Sequence, residues 1–401
     1  MRVDHLSLTN FRNYARLELS LPKQPVVIVG ENAQGKTTLL ESLYYLATAR
    51  SPYTLSDRQL IHWRTESEPL PFAKVSGEIS SRRSALTTLD MTLVLDNTAV
   101  NPRFRKTIKI NGVEKRVMDV VGLLSVVLFL PRDLMLIEGA PSERRDFMDT
   151  TLSQVDAAYL QALDDYDKHM SQRNALLRRI AEKRAKAAEL AYWDEQLSKS
   201  GAILIAGRQR FLRELEDKAQ HQHHALTGGL ELLTLQYQPS FSPTAKADGQ
   251  RSFNMLGMDL HRELTPEDIV PQFHEQLQRD QRESIERGAT VSGPHRDELR
   301  LFINGRDCGL FGSRGQARTA VLALKLAELA WMRGQIGEAP LLLLDEVVAE
   351  LDGKRRAHLL SQIGDDVQTL VTTTDAEVFP KEFLDRARVW QVENGQISSN
   401  T

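Results

Sequence analysis

The sequence feature that most constrains the fold is a glycine-rich segment that follows a short apolar run. Residues 30–37 read Gly-Glu-Asn-Ala-Gln-Gly-Lys-Thr, which matches the pattern G-x-x-x-x-G-K-[ST]. The four residues before it, 26–29, are all apolar, and leucines recur in the ten residues after it. A strand, a loop and a helix are therefore expected in the order that a phosphate-binding P-loop requires, which predicts an α/β fold.

The P-loop also predicts a chemistry. Backbone N–H groups of such a loop surround phosphates, and the N-terminus of the following helix adds positive potential. Lys36 is expected to reach the β- and γ-phosphates and Thr37 to ligate Mg²⁺. ATP and Mg²⁺ are thus the expected cofactors. The predicted phosphate-binding residues are Gly30, Glu31, Asn32, Ala33, Gln34, Gly35, Lys36, Thr37 and Thr38.

An acidic pair at the end of a second apolar run supplies the other half of the site. Leucines occupy residues 341–344, and Asp345 and Glu346 follow directly. Such a run is typical of a strand buried on both faces, and ligands bind at the carboxyl ends of strands in these sheets. We expect Asp345 to hold Mg²⁺ together with Thr37, and Glu346 to polarise a water. With Lys36 they form the predicted catalytic set; an acidic strand end without a metal is the alternative.

A polar turn at residues 312–316, Gly-Ser-Arg-Gly-Gln, precedes a predicted helix at 317–333. Its hydroxyl, its N–H groups and the helix N-terminus offer a second anion site. The turn resembles the signature motif of ABC-type ATPases, which implies that Ser313, Arg314, Gly315 and Gln316 contact the γ-phosphate held by another subunit. A simple helix N-cap is a compatible interpretation. Residues 350–352 resemble the D-loop of the same superfamily, with Asp352 as its candidate residue.

The remaining pattern predicts two regions. Alternating apolar residues and the Asn-Gly pairs at 111–112, 304–305 and 394–395 indicate strands and type I′ hairpins near both ends of the chain. Residues 142–286 have a helical pattern. We therefore expect an ATPase head of residues 1–140 and 290–401, a mixed sheet with helices, and a helical, short coiled-coil-like inserted lobe of residues 141–289.

The charge distribution bears on DNA binding. The chain has 51 Lys and Arg against 54 Asp and Glu, so any contact with DNA requires a local basic patch. Between residues 168 and 213 there are eleven Lys and Arg and four Asp and Glu. A phosphate-contacting helix face is one interpretation and a solvated helix surface is the other. The candidate contacts in this region are Arg173, Arg178, Arg179, Lys183 and Arg184.

Over nearly its full length the chain resembles the RecF family of SMC-related repair ATPases. The resemblance rests on the P-loop and signature together with further blocks: Phe11-Arg12-Asn13-Tyr14, Leu128-Phe129-Leu130-Pro131-Arg132-Asp133-Leu134, Gly139-Ala140-Pro141, Gln172-Arg173-Asn174, Gly293-Pro294-His295-Arg296-Asp297 and Thr373-Thr374-Asp375. It implies ATP-dependent dimerisation on duplex or gapped DNA and at single-strand/double-strand junctions. It also implies help in recombinase loading with RecO and RecR, and a role in replication and the SOS response in the cytoplasm. By the same resemblance Arg12 and Asn13 contact the nucleotide and Arg50 contacts DNA.

Departures from the wider ABC pattern predict a slow ATPase, and the family resemblance implies that DNA stimulates it. Arg314 stands where the signature has glycine, no histidine follows the predicted strand at 369–371, and no glutamine follows residues 128–130. A transporter nucleotide-binding subunit and an SMC-like structural tether remain as alternatives. The long insertion disfavours the first. The longest predicted helix, residues 192–218, would span roughly 40 Å, which disfavours the second.

Other features exclude classes of protein. The single cysteine, Cys308, cannot form an internal disulfide. Asp4 interrupts the start of the chain where a secretion signal would be apolar, and no run approaches a membrane span. His221, His223 and His224 lack further metal ligands at the usual spacing and are expected in a polar turn. The chain is longer than expected for the family, and residues 236–260 are where we place the extra length.

Overall fold

The structure is a computed structural model that describes residues 1–65, 67–82, 86–98, 102–241 and 264–399. Most of the extra length assigned to residues 236–260 lies outside these described residues. The chain divides into two compact units, residues 1–133 with 328–401 and residues 134–327. The second unit is larger than the predicted lobe of residues 141–289 and includes the turn at 312–316.

The strands of the described residues are β1 (Arg2–Phe11), β2 (Tyr14–Ser20), β3 (Val26–Val29), β4 (Phe72–Ser80), β5 (Thr87–Asp96), β6 (Arg103–Ile110), β7 (Val113–Lys115), β8 (Val126–Phe129), β9 (Leu233–Gln238), β10 (Glu298–Ile303), β11 (Arg306–Asp307), β12 (Leu341–Asp345), β13 (Thr369–Thr373), β14 (Arg388–Glu393) and β15 (Gln396–Ser399).

The α-helices of the described residues are α1 (Lys36–Thr48), α2 (Met135–Glu138), α3 (Pro141–Ser153), α4 (Ala157–Ala181), α5 (Leu190–Thr227), α6 (Pro266–Arg279), α7 (Gln281–Arg287), α8 (Cys308–Phe311), α9 (Arg314–Ile336), α10 (Val347–Glu350), α11 (Gly353–Ser361) and α12 (Lys381–Leu384). Short 3-10 helices cover Asp57–Leu60, Trp63–Thr65, Val117–Val120, Pro131–Leu134, Ala187–Glu189, Pro294–Arg296 and Ala376–Val378. None of the described helices is both long enough and apolar enough to cross a bilayer.

The first unit contains an antiparallel sheet whose strands follow the order β2-β1-β4-β5-β6-β7. Apolar and polar residues alternate along these strands, so one face is buried, as Leu89, Met91 and Leu93 of β5 illustrate. The predicted type I′ turn between β6 and β7 is confirmed, because Asn111 has φ 50° and Gly112 has φ 80°.

The second sheet of this unit carries the site. Its strand order is β15-β14-β3-β13-β12-β8, and every pairing except β14 with β15 is parallel. The leucines of β12 and residues 26–28 of β3 are buried, as the continuous apolar runs predict. Helix α1 packs against β4 and β5 of one sheet and against β8, β12 and β13 of the other, so it lies between the two sheets in their shared core.

The second unit is built on α5, against which both α4 and α6 pack, with a small sheet of order β11-β10-β9. Helix α5 has 38 residues and is longer than the predicted helix at 192–218, because the pattern continues to Gly228, whose left-handed conformation ends the helix. The expected polar turn at the three histidines is wrong: they lie within α5, and His223 is fully buried.

A buried ionic network fixes the core of the second unit. The Arg208 guanidinium pairs with Asp149 at 2.8 Å and Asp297 at 3.3 Å, and it donates to the Pro294 carbonyl at 2.7 Å. The Tyr237 hydroxyl donates to Asp297 as well. Buried charges of this kind are stable only when they are paired and hydrogen-bonded. The Gly-Pro-His-Arg-Asp block therefore holds this unit together.

Candidate nucleotide site

The P-loop connects the end of β3 to the start of α1. Gly35 has φ 113°, and a Cβ atom there would lie 2.7 Å from the Asn13 side chain, so only glycine fits. At Gly30 a Cβ atom would lie 2.4 Å from the Val392 carbonyl oxygen. The glycines of the motif are thus required by the close approach of the Asn13 side chain and the Val392 backbone as well as by the shape of the loop.

Lys36 points back across the loop. Its ammonium donates to the carbonyl oxygens of Gly30 at 2.7 Å and Glu31 at 3.0 Å, and it pairs with Glu346 Oε1 at 2.9 Å. The side chain is only 3% exposed, whereas that of Glu346 is 30% exposed. One buried cation is therefore placed between the phosphate-binding loop and the predicted general base.

Asp345 lies at the end of β12, opposite Thr372 of β13. Its Oδ1 atom accepts a hydrogen bond from the Thr372 hydroxyl at 2.7 Å, and its Oδ2 atom accepts one from the Tyr53 hydroxyl at 2.8 Å. The Thr37 hydroxyl lies 3.1 and 3.0 Å from the two carboxylate oxygens. Glu346 follows with φ 59°, and its backbone N–H donates to Thr372 Oγ1 at 3.0 Å.

The adjoining oxygens of Thr37 and Asp345 fit Mg²⁺, which prefers hard oxygen ligands and completes its shell with water and phosphate. No cluster of three or more His, Cys, Asp or Glu side chains suited to a metal occurs within the described ranges. A site of this type needs no such cluster, because most of the remaining ligands come from the nucleotide and from water.

Arg12 and Asn13 lie beside the loop, in the turn between β1 and β2. The Arg12 guanidinium binds Glu41 through two hydrogen bonds of 2.9 and 2.7 Å, and Arg12 has φ 53°. The Oδ1 atom of Asn13 is buried and has no hydrogen-bond partner among the described atoms. Both residues line the same cavity as the P-loop.

This cavity has a volume of about 610 Å³. Its lining combines P-loop residues and Glu346 with Arg58, Gln59, Ile61 and Trp63. The sequence did not single out these four residues or Tyr53, because they belong to no motif. The one available signal was Trp63, a large aromatic residue in a polar stretch, and its side chain is 56% exposed.

The predicted signature turn lies in the second unit and is exposed. Ser313 Oγ accepts from the Gln316 backbone N–H at 3.2 Å, and Gln316 Oε1 accepts from the Ser313 N–H at 2.9 Å. These reciprocal bonds form a capping box that begins α9, so the N-cap interpretation is confirmed. Leu310 and Phe311, just before the turn, are 70% and 73% exposed.

Asp352 of the D-loop candidate caps α11 by accepting from the Arg355 backbone N–H at 3.0 Å. This bond holds the pKa of the carboxyl below its usual range. Cys308 is buried, and burial raises its pKa to about 11, so the thiolate is disfavoured.

One predicted DNA contact is wrong. Arg173 is fully buried and binds Asp194 at 2.7 Å and the Thr290 hydroxyl at 3.0 Å, so its side chain serves the core of the second unit. Arg178, Arg179, Lys183 and Arg184 are exposed, at the end of α4 and in the turn that follows it. Arg50 is exposed directly after α1, in the first unit.

Comparisons with known proteins agree with this geometry. Residues 2–398 match the family model described as RecF/RecN/SMC N terminal domain. The chain is 40% identical over 408 residues to a DNA replication and repair protein RecF of Chloroflexus aurantiacus, with 99% of both chains covered. It is 36% identical to the RecF protein of an Exiguobacterium species, with 100% of both chains covered.

Solved structures resemble it over the full length as well. Two are described as the recombination mediator protein RecF in the RecFOR pathway. With ATPrS the match has a TM-score of 0.84 at 27% identity, covering 100% of this chain and 98% of the other. The structure with ATP matches with a TM-score of 0.83 at 28% identity, and the match covers 100% of this chain and 97% of the other.

A more distant likeness is to an Smc head bound to the C-winged helix domain of ScpA. It has a TM-score of 0.53 at 14% identity and covers 100% of this chain and 98% of the other, so it bears on the fold alone. The predicted ABC-type ATPase head with mixed sheets and helices is confirmed. By its full-length matches, this chain belongs to the RecF family of DNA replication and repair proteins.

Proposed function

We propose that this protein is an ATP-dependent DNA-binding protein of recombinational repair and replication restart. It acts in the cytoplasm and in the SOS response, binds duplex DNA and junctions, and aids recombinase loading with RecO and RecR as partners. The observation that carries the ATP-dependent part is that Lys36, Thr37 and Glu346 line one cavity with the P-loop, and that the Asp345 carboxylate lies against the Thr37 hydroxyl. Family membership supports the repair role.

In the proposed reaction, backbone N–H groups of the P-loop and Lys36 hold the triphosphate. Thr37 and Asp345 would hold Mg²⁺, which neutralises phosphate charge when it is bound. Glu346 polarises a water toward the γ-phosphate, since its carboxylate is the more exposed member of the pair with Lys36. Trp63 offers an aromatic surface on which a purine base can pack.

Slow turnover follows from the residues after β13. The Thr373 hydroxyl donates to the Asp375 carbonyl oxygen at 2.8 Å, and Asp375 starts a 3-10 helix. No imidazole stands in this segment to contact a γ-phosphate. We therefore propose weak, DNA-stimulated hydrolysis that acts as a switch.

We further propose that a second copy of the chain supplies Ser313 to the γ-phosphate. The exposed turn and its capping box leave backbone N–H groups of the α9 N-terminus available to an anion. Exposed apolar side chains adjoin it in sequence at Leu310 and Phe311. The Gln316 side chain also donates to Glu231 at 2.7 Å. The two residues on either side of Glu231, Leu230 and Leu232, are exposed apolar residues as well. Apolar groups around a polar turn are typical of surfaces that are covered on association.

The decisive experiment is sedimentation velocity of Glu346→Gln with and without Mg²⁺ and ATP. Loss of the carboxylate should prevent hydrolysis and leave an ATP-bound dimer, whereas Glu377→Gln, an exposed acid of the same unit, should behave as wild type. Ser313→Arg should bind ATP and stay monomeric. A Glu346→Gln protein that binds ATP and remains a monomer, with or without gapped duplex, would contradict the shared site.

A further inference from the structure

Tyr53 contacts the predicted metal-binding carboxylate although it belongs to no nucleotide-binding motif. Its hydroxyl donates to Asp345 Oδ2 at 2.8 Å. A tyrosine hydroxyl keeps its proton at neutral pH, so the group is a hydrogen-bond donor to the carboxylate. The two residues are 292 positions apart in the chain, and the fold alone brings them together.

Several contacts hold Tyr53 in place. Its backbone N–H donates to Ser51 Oγ at 3.0 Å, and the Ser51 hydroxyl donates to Glu41 at 2.5 Å. Glu41 is the buried partner of Arg12, which lines the cavity. The Arg132 guanidinium lies over the Tyr53 ring at 5.3 Å, a cation–π arrangement. A continuous series of contacts therefore runs from the cavity wall at Arg12 to Asp345.

The Tyr53 hydrogen bond completes the support of the Asp345 carboxylate. Thr372 donates to Oδ1 and Tyr53 to Oδ2, so the two oxygens are held by side chains from different parts of the first unit. This fixes the plane of the carboxylate and directs its free electron pairs toward Thr37. Groups that orient a metal ligand in this way tune metal affinity without touching the ion.

We propose that Tyr53 is the positioning residue for Mg²⁺ binding with ATP, and that Arg132 holds its ring in place. The proposal rests on the proposed function, since it assumes that Thr37 and Asp345 receive the ion. Tyr53 keeps Asp345 oriented before the nucleotide arrives. Removing only its hydroxyl should therefore weaken the response to Mg²⁺ and spare the contacts between the P-loop and the nucleotide.

The test is Tyr53→Phe, which keeps the ring and the position of Arg132 and removes the hydroxyl. Binding of a fluorescent ATP analogue is measured in EDTA and then across an Mg²⁺ titration. We expect the Mg²⁺ concentration at half-maximal effect to rise about tenfold, with unchanged affinity in EDTA. Arg132→Gln should move the same midpoint in the same direction by a smaller factor.

Tyr45→Phe is the matched control. The Tyr45 hydroxyl also donates to a carboxylate, at 2.8 Å, but that carboxylate is Asp57 rather than Asp345, and the Tyr45 ring is buried. This variant should keep the Mg²⁺ midpoint of wild type. A Tyr53→Phe midpoint equal to that of wild type, or an equal loss of binding in EDTA and in Mg²⁺, would overturn the inference. Failure of wild type to bind the analogue would instead refute the proposed function.

Discussion

At the scale of single residues, Lys36 is the group on which nucleotide binding depends most. It is buried, and its ammonium already has three acceptors, so a triphosphate must take over some of these contacts. Lys36→Ala should cost about 2–5 kcal/mol, or roughly 30-fold or more in ATP affinity. Equilibrium binding of a fluorescent ATP analogue measures this. The control is Lys74→Ala, a half-exposed lysine paired with Asp90, which should bind as wild type does.

The residues that the sequence predicted and those that it missed differ in a physical way. Lys36, Thr37, Asp345 and Glu346 were predicted because each stands at a fixed position relative to a buried strand, and parallel strands end at one edge of the sheet. Tyr53 lies in a segment without regular secondary structure and Trp63 begins a short 3-10 helix, and neither belongs to a repeating pattern. Their positions depend on contacts far along the chain, which local spacing does not encode.

At the scale of elements, a continuous apolar run was easier to interpret than a strand inside a helical region or the buried face of a helix. Residues 26–29 were identified as a strand with correct bounds, whereas β9 was missed inside the predicted helical region. The signal for β9 was present, because Leu233, Leu235 and Tyr237 alternate and are all buried. Arg173 was misplaced because its partner Asp194 lies on another helix, and a single helix pattern does not show which face is covered.

The end of α4 gives the element-scale prediction for DNA. Arg178→Glu, Arg179→Glu and Lys183→Glu together should weaken DNA binding. The slope of log affinity against log salt should fall by about 0.9 for each phosphate that the variant no longer neutralises. The physical reason is that these exposed cations follow one another along a helix end and its turn. Fluorescence anisotropy with labelled gapped duplex across a salt series is the measurement.

The matched control for this variant carries the same change of charge. Lys199→Glu, Arg210→Glu and Lys218→Glu all lie on α5, where Lys199 and Arg210 already pair with acids. This control should retain more of the wild-type DNA affinity, and more of the wild-type salt dependence of that affinity, than the α4 variant does. Equal slopes in wild type and in the α4 variant would mean that DNA contacts another face of the protein.

At the scale of the whole molecule, the division into units differs from the one that the sequence pattern predicts. The turn at residues 312–316 was assigned to the head because it lies in the strand-rich region that follows the predicted helical insertion. Yet residues 134–327 form one compact unit, and its limit falls within α9. The helical pattern of residues 142–286 identified most of the helical part of this unit. The pairing of β10 with β9, whose facing residues are 60 to 70 positions apart, was not visible as a local pattern.

A pH dependence of the second unit follows from His295. The Tyr166 hydroxyl lies 2.7 Å from Nδ1, and Nε2 lies 3.1 Å from the Thr290 carbonyl oxygen, so the neutral ring satisfies both contacts. Burial, together with the positive charges of Arg296, Arg145 and Arg208, lowers the pKa of His295 to about 4. An unfolded histidine has a pKa of about 6.5. Acidification from about pH 6.5 to 4 therefore protonates the unfolded chain first and destabilises the folded unit, by up to about 3 kcal/mol.

Hydrogen exchange of peptides from α4 and β10, measured between pH 7 and 4.5 and corrected for intrinsic rates, tests this dependence. In wild type, the protection of these peptides should decrease as the pH is lowered. His295→Gln retains polar groups that can replace both contacts but does not titrate, so its protection should depend less on pH than that of wild type. An identical dependence in the two proteins would show that other groups, the buried carboxylates among them, control the acid response of this unit.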